Sequence, residues 1–300
     1  MEYQNFETLV EQAKNSETRK RMAVIAAGES HVIEATLKAY ADGIIDPIFV
    51  GDKDTIRELL LQHDAGSVGT IIPVDSAEDA AREAAQLVRK GEADFLMKGL
   101  IETGPMLKIL LSHETGISAG GLVSGISIHQ IPTYHKLLGV TDGAVNIYPD
   151  SEKKKLILAN AVKAFHMLGY DNPKAVALCG VEKVNPKMPE TVEAAAVKEW
   201  VDQGNLTGCE FEGPLSSDIA FDKEAGALKG YTSSVAGDPD ILLMPNLATC
   251  NIFNKAIRRF CRCTTVGILM GLQVPMILLS RSADTMSKYT SIALVSQMVK

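Results

Sequence analysis

The sequence lacks the marks of a secreted, membrane-spanning or nucleic-acid-binding chain. Its cysteines (Cys179, Cys209, Cys250, Cys261 and Cys263) are odd in number and form no CxxC pair. That argues against a disulfide framework and a finger-type zinc site, and for free thiols of mostly structural use in a reducing compartment. No apolar run approaches the roughly 20 residues of a spanning helix. Met1–Lys20 is polar and mixed in charge, without the apolar core of an export signal, so a cytoplasmic location is expected. A basic excess is missing as well. The formal net charge is −7, and without a basic stripe no nucleic-acid partner is expected. An anionic small molecule still fits if a few Lys and Arg are placed locally. GxGxxG and GxxxxGK[ST] are both absent, and Gly121–Gly125 reads GLVSG, with its Ser one residue late for a nucleophile elbow.

What is present is a rhythm. Met22–Ala27, Pro47–Val50, Thr70–Pro73 and Asp94–Met97 read as buried strands, with helical spacing in Glu29–Asp42, Lys53–Gln62 and Ala77–Arg89 between them. Ala175–Cys179, Ile241–Pro245, Val266–Met270 and Val274–Leu279 continue the strands in the second half. This alternation predicts an α/β fold with mostly parallel sheets and helices on both faces. A helix capped by Asp150 or Ser151 should run to Gly169, with Lys153, Lys154 and Lys155 at a solvated start, and another should run from about Glu190 to Val201. Ser112–Asp150, rich in Gly, Ser and Thr, breaks the rhythm. It reads equally as a crossing between two domains and as a run of sheet turns.

In open α/β sheets the ligand crevice lies beyond the carboxyl ends of the strands. Lys98, Asn246 and the pair Ser280-Arg281 follow strands directly. A guanidinium matches a phosphate bidentately and stays charged, and a Ser hydroxyl beside it can donate to an oxyanion or thiolate. A helix from about Thr285 would add its N-terminal amides. Arg281 also fits an ordinary surface ion pair, Asp284 an ordinary N-cap, and Lys98 an ordinary surface charge. His129 and His135 read as satisfied loop histidines rather than metal ligands.

Several longer segments then resemble one family in order: MKGLIET (Met97–Thr103), VTDGAVNIYPD (Val140–Asp150), ALCGVEKVNPKMPET (Ala177–Thr191), EGPLSSDIA (Glu212–Ala220), VAGDPDILLMPNL (Val235–Leu247) and LLSRSADT (Leu278–Thr285). The chain resembles the phosphate acetyl/butyryltransferases, most strongly from about Asp94 onward and most like the butyryl branch. The resemblance implies two α/β domains flanking a cleft, as in isocitrate and isopropylmalate dehydrogenases. The expected bounds are 1–137 with 268–300 for the first domain and 138–267 for a second, dimerising one. It implies a homodimer, no metal or cofactor, and reversible acyl transfer between coenzyme A and inorganic phosphate, with butyryl favoured over acetyl.

By similarity Ser280 and Arg281 match the active-site pair, and Asp284 is the nearest candidate base. Ser287 stands where acetyltransferases carry Asp and butyryltransferases commonly carry Glu. Val123-Ser124-Gly125 matches a family segment that is followed by an Arg, whose place falls near His135 and Lys136. Lys98, Ser124, His135, Asn246 and Asn251 are thus the candidate substrate-binding residues. Two other readings stay open: a binding protein for CoA or acyl phosphate that lost turnover, supported by Ser287, and a dehydrogenase of the same fold. The latter would need paired Asp residues after a strand for a divalent ion, and none are seen.

Overall fold

A computed structural model describes residues 3–113, 117–280 and 283–299. The chain forms α1 (Phe6–Lys14), β1 (Lys20–Ile25), α2 (Ser30–Ala41), β2 (Ile45–Gly51), α3 (Lys53–Leu61), β3 (Thr70–Pro73), α4 (Ala77–Arg89), β4 (Phe95–Lys98) and α5 (Thr103–Leu110). The strands β5 (Ser124–Gln130) and β6 (Leu137–Thr141) follow, then α6 (Ser151–Met167), β7 (Lys174–Leu178), α7 (Pro189–Asp202) and β8 (Glu210–Leu215). The remainder is α8 (Ser217–Phe221), α9 (Lys223–Leu228), β9 (Ile241–Leu243), α10 (Leu247–Phe260), β10 (Thr264–Met270), β11 (Met276–Ile277) and α11 (Thr285–Met298). This is the α/β alternation that the hydrophobic rhythm predicts. Among the described residues no helix is long and apolar enough to cross a membrane.

The chain divides into two compact units. The first comprises Phe6–Gly121 and Val266–Lys300, and the second Leu122–Thr265 with the segment up to Asn5. Strands in the first unit lie in the order β3-β2-β1-β4-β11-β10. All neighbours there are parallel except β10 and β11, which form a hairpin. The strand expected over Val274–Leu279 contracts to Met276–Ile277. It starts just after Pro275, which has no N–H to give a ladder, although its carbonyl accepts from Leu96 at 3.2 Å. Helix α11 is buried on nearly every side and packs against α1 and α2, so it shows no amphipathic stripe. Its Ser291 and Ser296 hydroxyls turn back onto the carbonyls of Ser287 and Ala293, each at 2.7 Å.

In the second unit the order is β5-β6-β9-β7-β8, parallel except for the β5–β6 hairpin. The Ser112–Asp150 stretch thus contains both the boundary between the compact units and a hairpin. Leu138, Val140, Val176, Leu178 and Leu242 from the strands, with Met244 just after β9, pack with Ile219 and Cys250 into one apolar cluster. Asp150 caps α6 by accepting from the Lys153 N–H at 2.9 Å. The solvated start expected for that helix is corrected at Lys154, which is buried and paired with Glu193 of α7. Helical spacing puts Lys154 on the same face as Leu158 and Ala161, where α7 covers it.

Gly99 shows how tightly the strand ends are packed. A methyl group there would meet the carbonyl oxygen of Ile25 at 2.7 Å and that of Ala26 closer still. Backbone cannot step aside as a side-chain tip can. We therefore expect Gly99→Ala to destabilise the protein by about 2 kcal/mol, seen as a lower urea midpoint at unchanged slope. An unaltered midpoint would show that the two strand ends are looser than this geometry allows.

Candidate active site

Parallel strands put their carboxyl ends on one edge, and ligands bind beyond it where the winding reverses. In the first unit the reversal falls between β1 and β4. The chain leaves β1 for β2 on one side, while β4 pairs with β1 on the other. Lys98 ends β4 opposite Ile25 of β1, half-buried, and donates to the Gly99 carbonyl at 3.2 Å. Strand β11 runs parallel to β4 with Ile277 opposite Met97, so the chain carries on to Ser280 at the same edge. Ser280 is exposed, and its carbonyl accepts the Ala283 N–H at 2.9 Å. Asp284 then caps α11, its Oδ1 accepting the Ser287 N–H at 2.7 Å. The first unit thus gathers Lys98, Ser280 and Asp284 at one edge. Arg281 lies outside the described residues. Ser287, where the family carries an acid, is buried in the first turn of α11.

In the second unit the reversal falls between β7 and β9, since the chain leaves β7 for β8 while β9 lies on its other side. A cavity of about 550 Å³ opens there, lined by Gly180 after β7 and by Pro245 and Asn246 after β9. Three helices begin at its wall: α6 at Asp150, α7 at Pro189 and α10 at Asn246. Asn246 caps α10 through its Oδ1, which accepts the Thr249 N–H at 2.9 Å. A cap takes one of the free amides of a first turn, and the others leave a partial positive charge facing the cavity. Pro189, in the first turn of α7, has no N–H to satisfy.

The loop between β6 and α6 supplies Tyr148 and Pro149 to the wall, and Asp142 shapes it. Its buried carboxylate accepts from the Gly125 N–H at 3.1 Å, Ala144 N–H at 2.8 Å, Val145 N–H at 3.2 Å and Asn146 N–H at 3.0 Å. The Asn146 amide adds a fifth bond at 2.7 Å. Asn251, on α10, reaches the Gly143 carbonyl of this loop at 3.5 Å. Asn246 and Asn251 are therefore brought together with the VTDGAVNIYPD and NPKMPET segments. Below the cavity the Lys154–Glu193 pair offsets one carboxylate of an otherwise acidic lining. Cys179 sits beside it, with its thiol pushed up to about 11, chiefly by burial. It is a thiol at neutral pH. Sequence reasoning did not find Asp142 or Glu193, because a bonded loop carboxylate and an exposed one look identical in a string of letters.

Two of the expected substrate-binding residues lie elsewhere. Ser124 is wholly buried, and its hydroxyl accepts from the Asn160 amide at 2.9 Å, so it belongs to the core. His135 stands at the amino ends of the parallel strands, the edge opposite the cavity. The register of Gly139 and Ala175 against Ile241 fixes that polarity. There His135 bonds Asp238 at 2.8 Å, Lys174 holds Asp238 at 2.6 Å, and Lys136 bridges Asp238 at 3.0 Å and Asp240 at 2.7 Å. The ammonium groups of Lys136 and Lys174, already paired with carboxylates, are poorly placed to receive a phosphate. His129 is on β5 rather than in a loop. It is buried between Thr265 at 2.9 Å and Asn254 at 3.0 Å, and burial lowers it to about 4, so the ring is neutral.

These features define a doubly wound α/β protein whose polar groups collect at the carboxyl edges of both units. The chain belongs to the phosphate acetyl/butaryl transferase family, whose model matches residues 74–296. It is 38% identical to a phosphate butyryltransferase of Clostridium acetobutylicum over 97% of each chain. It is 34% identical to a phosphate acetyltransferase of Thermotoga maritima over 96% of this chain and 97% of that protein. A branched-chain phosphotransacylase crystal structure from Enterococcus faecalis V583 superposes with a TM-score of 0.82 at 28% identity, covering 93% of this chain and 98% of that one.

The Asp238 cluster makes a prediction about acid. Burial would raise this carboxyl, but hydrogen bonds from Lys174, Lys136 and His135 outweigh it and hold the group far below the usual range. A carboxyl depressed in the folded state stabilises above its unfolded value near 4, and that stability drains away as pH falls toward the folded value. We expect Asp238→Asn to lower the urea midpoint at pH 7. The gap to wild type should narrow as the pH is taken from about 4.5 down to 2.5. A gap that stays constant would mean that the cluster contributes nothing through ionisation.

Proposed function

We propose that this protein catalyses reversible transfer of a short acyl group between coenzyme A and inorganic phosphate, with butyryl favoured over acetyl. The observation that carries the reading is 38% identity to a phosphate butyryltransferase along nearly the full length of both chains. The two-domain arrangement of isocitrate and isopropylmalate dehydrogenases, with the compact units as domains, is part of the proposal, as is a cytoplasmic homodimer. In favour of association, α10 buries only Cys250 and leaves Ile252 and Phe260 exposed. Acyl-CoA and phosphate would be the substrates, without a further cofactor.

The chemistry requires phosphate oxygen to attack a thioester carbonyl and thiolate to leave. Between the two stands a tetrahedral oxyanion that wants fixed donors. With both substrates bound together, no covalent acyl-enzyme is required. In this reading Arg281 grips phosphate bidentately and Ser280 donates to the oxyanion or the departing sulfur. Lys98, at the reversal of the first unit, adds a point charge. Asn246, Asn251 and the helix starts around the cavity contribute amides from the second unit. Asp284 is the candidate base. One oxygen of its carboxylate is engaged in capping, and the residue is exposed at the same edge as Ser280.

Mixing the protein with butyryl-CoA and phosphate should release thiol steadily. Arg281→Ala should lower that rate at least about tenfold through lost charge-assisted hydrogen bonds. Asp284→Asn should lower it too if the carboxylate serves as base; full activity would leave Asp284 a cap alone. The buried Ser287 in place of an acid favours one rival, a protein that binds CoA without turning it over. Bound CoA with no thiol released from any acyl-CoA would establish that rival and sink the proposal.

A further inference from the structure

A buried ammonium needs partners, and those of Lys288 lead to the Ser280 segment. Lys288 lies in the first turn of α11 with its side chain 3% exposed. Its Nζ donates to the Ala283 carbonyl at 2.7 Å and stands 2.9 Å from Oε1 of Glu29. Ala283 precedes the N-cap Asp284, so its carbonyl lies outside the helical ladder and takes its hydrogen bond from this side chain. The Ala283 N–H in turn bonds the Ser280 carbonyl at 2.9 Å. One residue is thus held on both sides, by Ser280 through its amide and by Lys288 through its oxygen.

Glu29 completes the arrangement from another element. It occupies the N-cap position of α2, a place that Ser, Thr, Asp and Asn fill best, and its side chain makes no capping bond. The carboxylate faces Lys288 instead. Glu29 follows β1 at the strand edge where Lys98 ends β4, so the ion pair joins the start of α2, the first turn of α11 and the Ser280 segment. Nearby, the Thr285 hydroxyl donates to Glu34 of α2 at 2.8 Å and ties the same two helices. A methionine would fill the space of Lys288 with no charge to desolvate. A charged residue there calls for the bond to Ala283.

We propose that Lys288, braced by Glu29, is a positioning residue that holds Ser280 in its reactive geometry. It acts through Ala283 and does not touch substrate. The inference rests on the acyl-transfer reading above, where Ser280 donates to the reacting centre. A displacement of about 1 Å at such a donor is enough to cost on the order of a hundredfold in rate.

The test compares full-length wild type, Lys288→Met and Glu29→Gln by steady-state kinetics with butyryl-CoA and phosphate, and by amide hydrogen exchange over residues 278–288. Lys288→Met should lower kcat at least about tenfold while leaving both KM values within about threefold, since binding groups stay and the reactive pose is lost. Exchange at the Ala283 amide should speed up at least about tenfold, because its bond to Ser280 is no longer backed from the carbonyl side. Glu29→Gln should show a smaller loss of kcat in the same direction, and it serves as the reading if Lys288→Met does not fold. Unchanged kcat in the folded variants, or a loss expressed only in KM, overturns the inference. If wild type itself releases no thiol, the acyl-transfer reading fails on its own. Exchange at Ala283 then judges Lys288: acceleration supports the holding role, and no change overturns it.

Discussion

The constraint on which this structure turns is the end of a parallel strand. There the ladder stops, a helix starts within a few residues, and the first turn of that helix has amides with no partner inside it. Side chains at these junctions take up one amide each: Asp52 before α3, Ser76 before α4, Asp150 before α6, Asn246 before α10 and Asp284 before α11. The amides that remain are oriented, partly positive and fixed by the fold. Small anionic ligands suit such an edge without any net positive charge on the protein. An acidic chain can for this reason belong to a family named for handling phosphate.

Around these junctions the same economy of buried charge recurs. Asp142 holds its loop through five N–H groups. Lys154 and Glu193 stabilise each other beneath the cavity, and Glu29 and Lys288 do so beside the Ser280 segment. The Asp142 and Lys288 arrangements each fix a backbone segment at a carboxyl edge, and the Lys154–Glu193 pair ties α6 to α7. Removing one partner would leave a desolvated group behind, which costs more than the pair contributes. The Asp238 cluster does similar work at the amino edge of the second unit, where it bonds the His135 ring and binds up the ammonium groups of Lys136 and Lys174.

How much of this is legible in the letters depends on the range of the interaction. The strand at Thr70–Pro73 and the helix at Ala77–Arg89 have the predicted bounds, because hydrophobic period and caps are local signals. Lys98 and Asn246 were chosen by the rule that polar residues just after strands face the crevice, and the fold puts both at carboxyl edges. His135 and Ser124 were placed by alignment to a motif, and the fold sets both away from the cavity for a non-local reason. His135 follows the hairpin turn and so meets the amino ends of β6 and β9, while Ser124 starts β5 and meets Asn160 of α6.

By itself the sequence determined the α/β class, the family, the strand-following candidates and the cap residues, since each depends on spacing within one short segment. Only the tertiary structure decided which charges are already spent. Lys154 and Lys288 read as ordinary lysines until Glu193 and Glu29 are seen to face them, from positions 39 and more than 250 residues away in the chain. Burial and partnership are properties of the folded surroundings, and no local pattern encodes them.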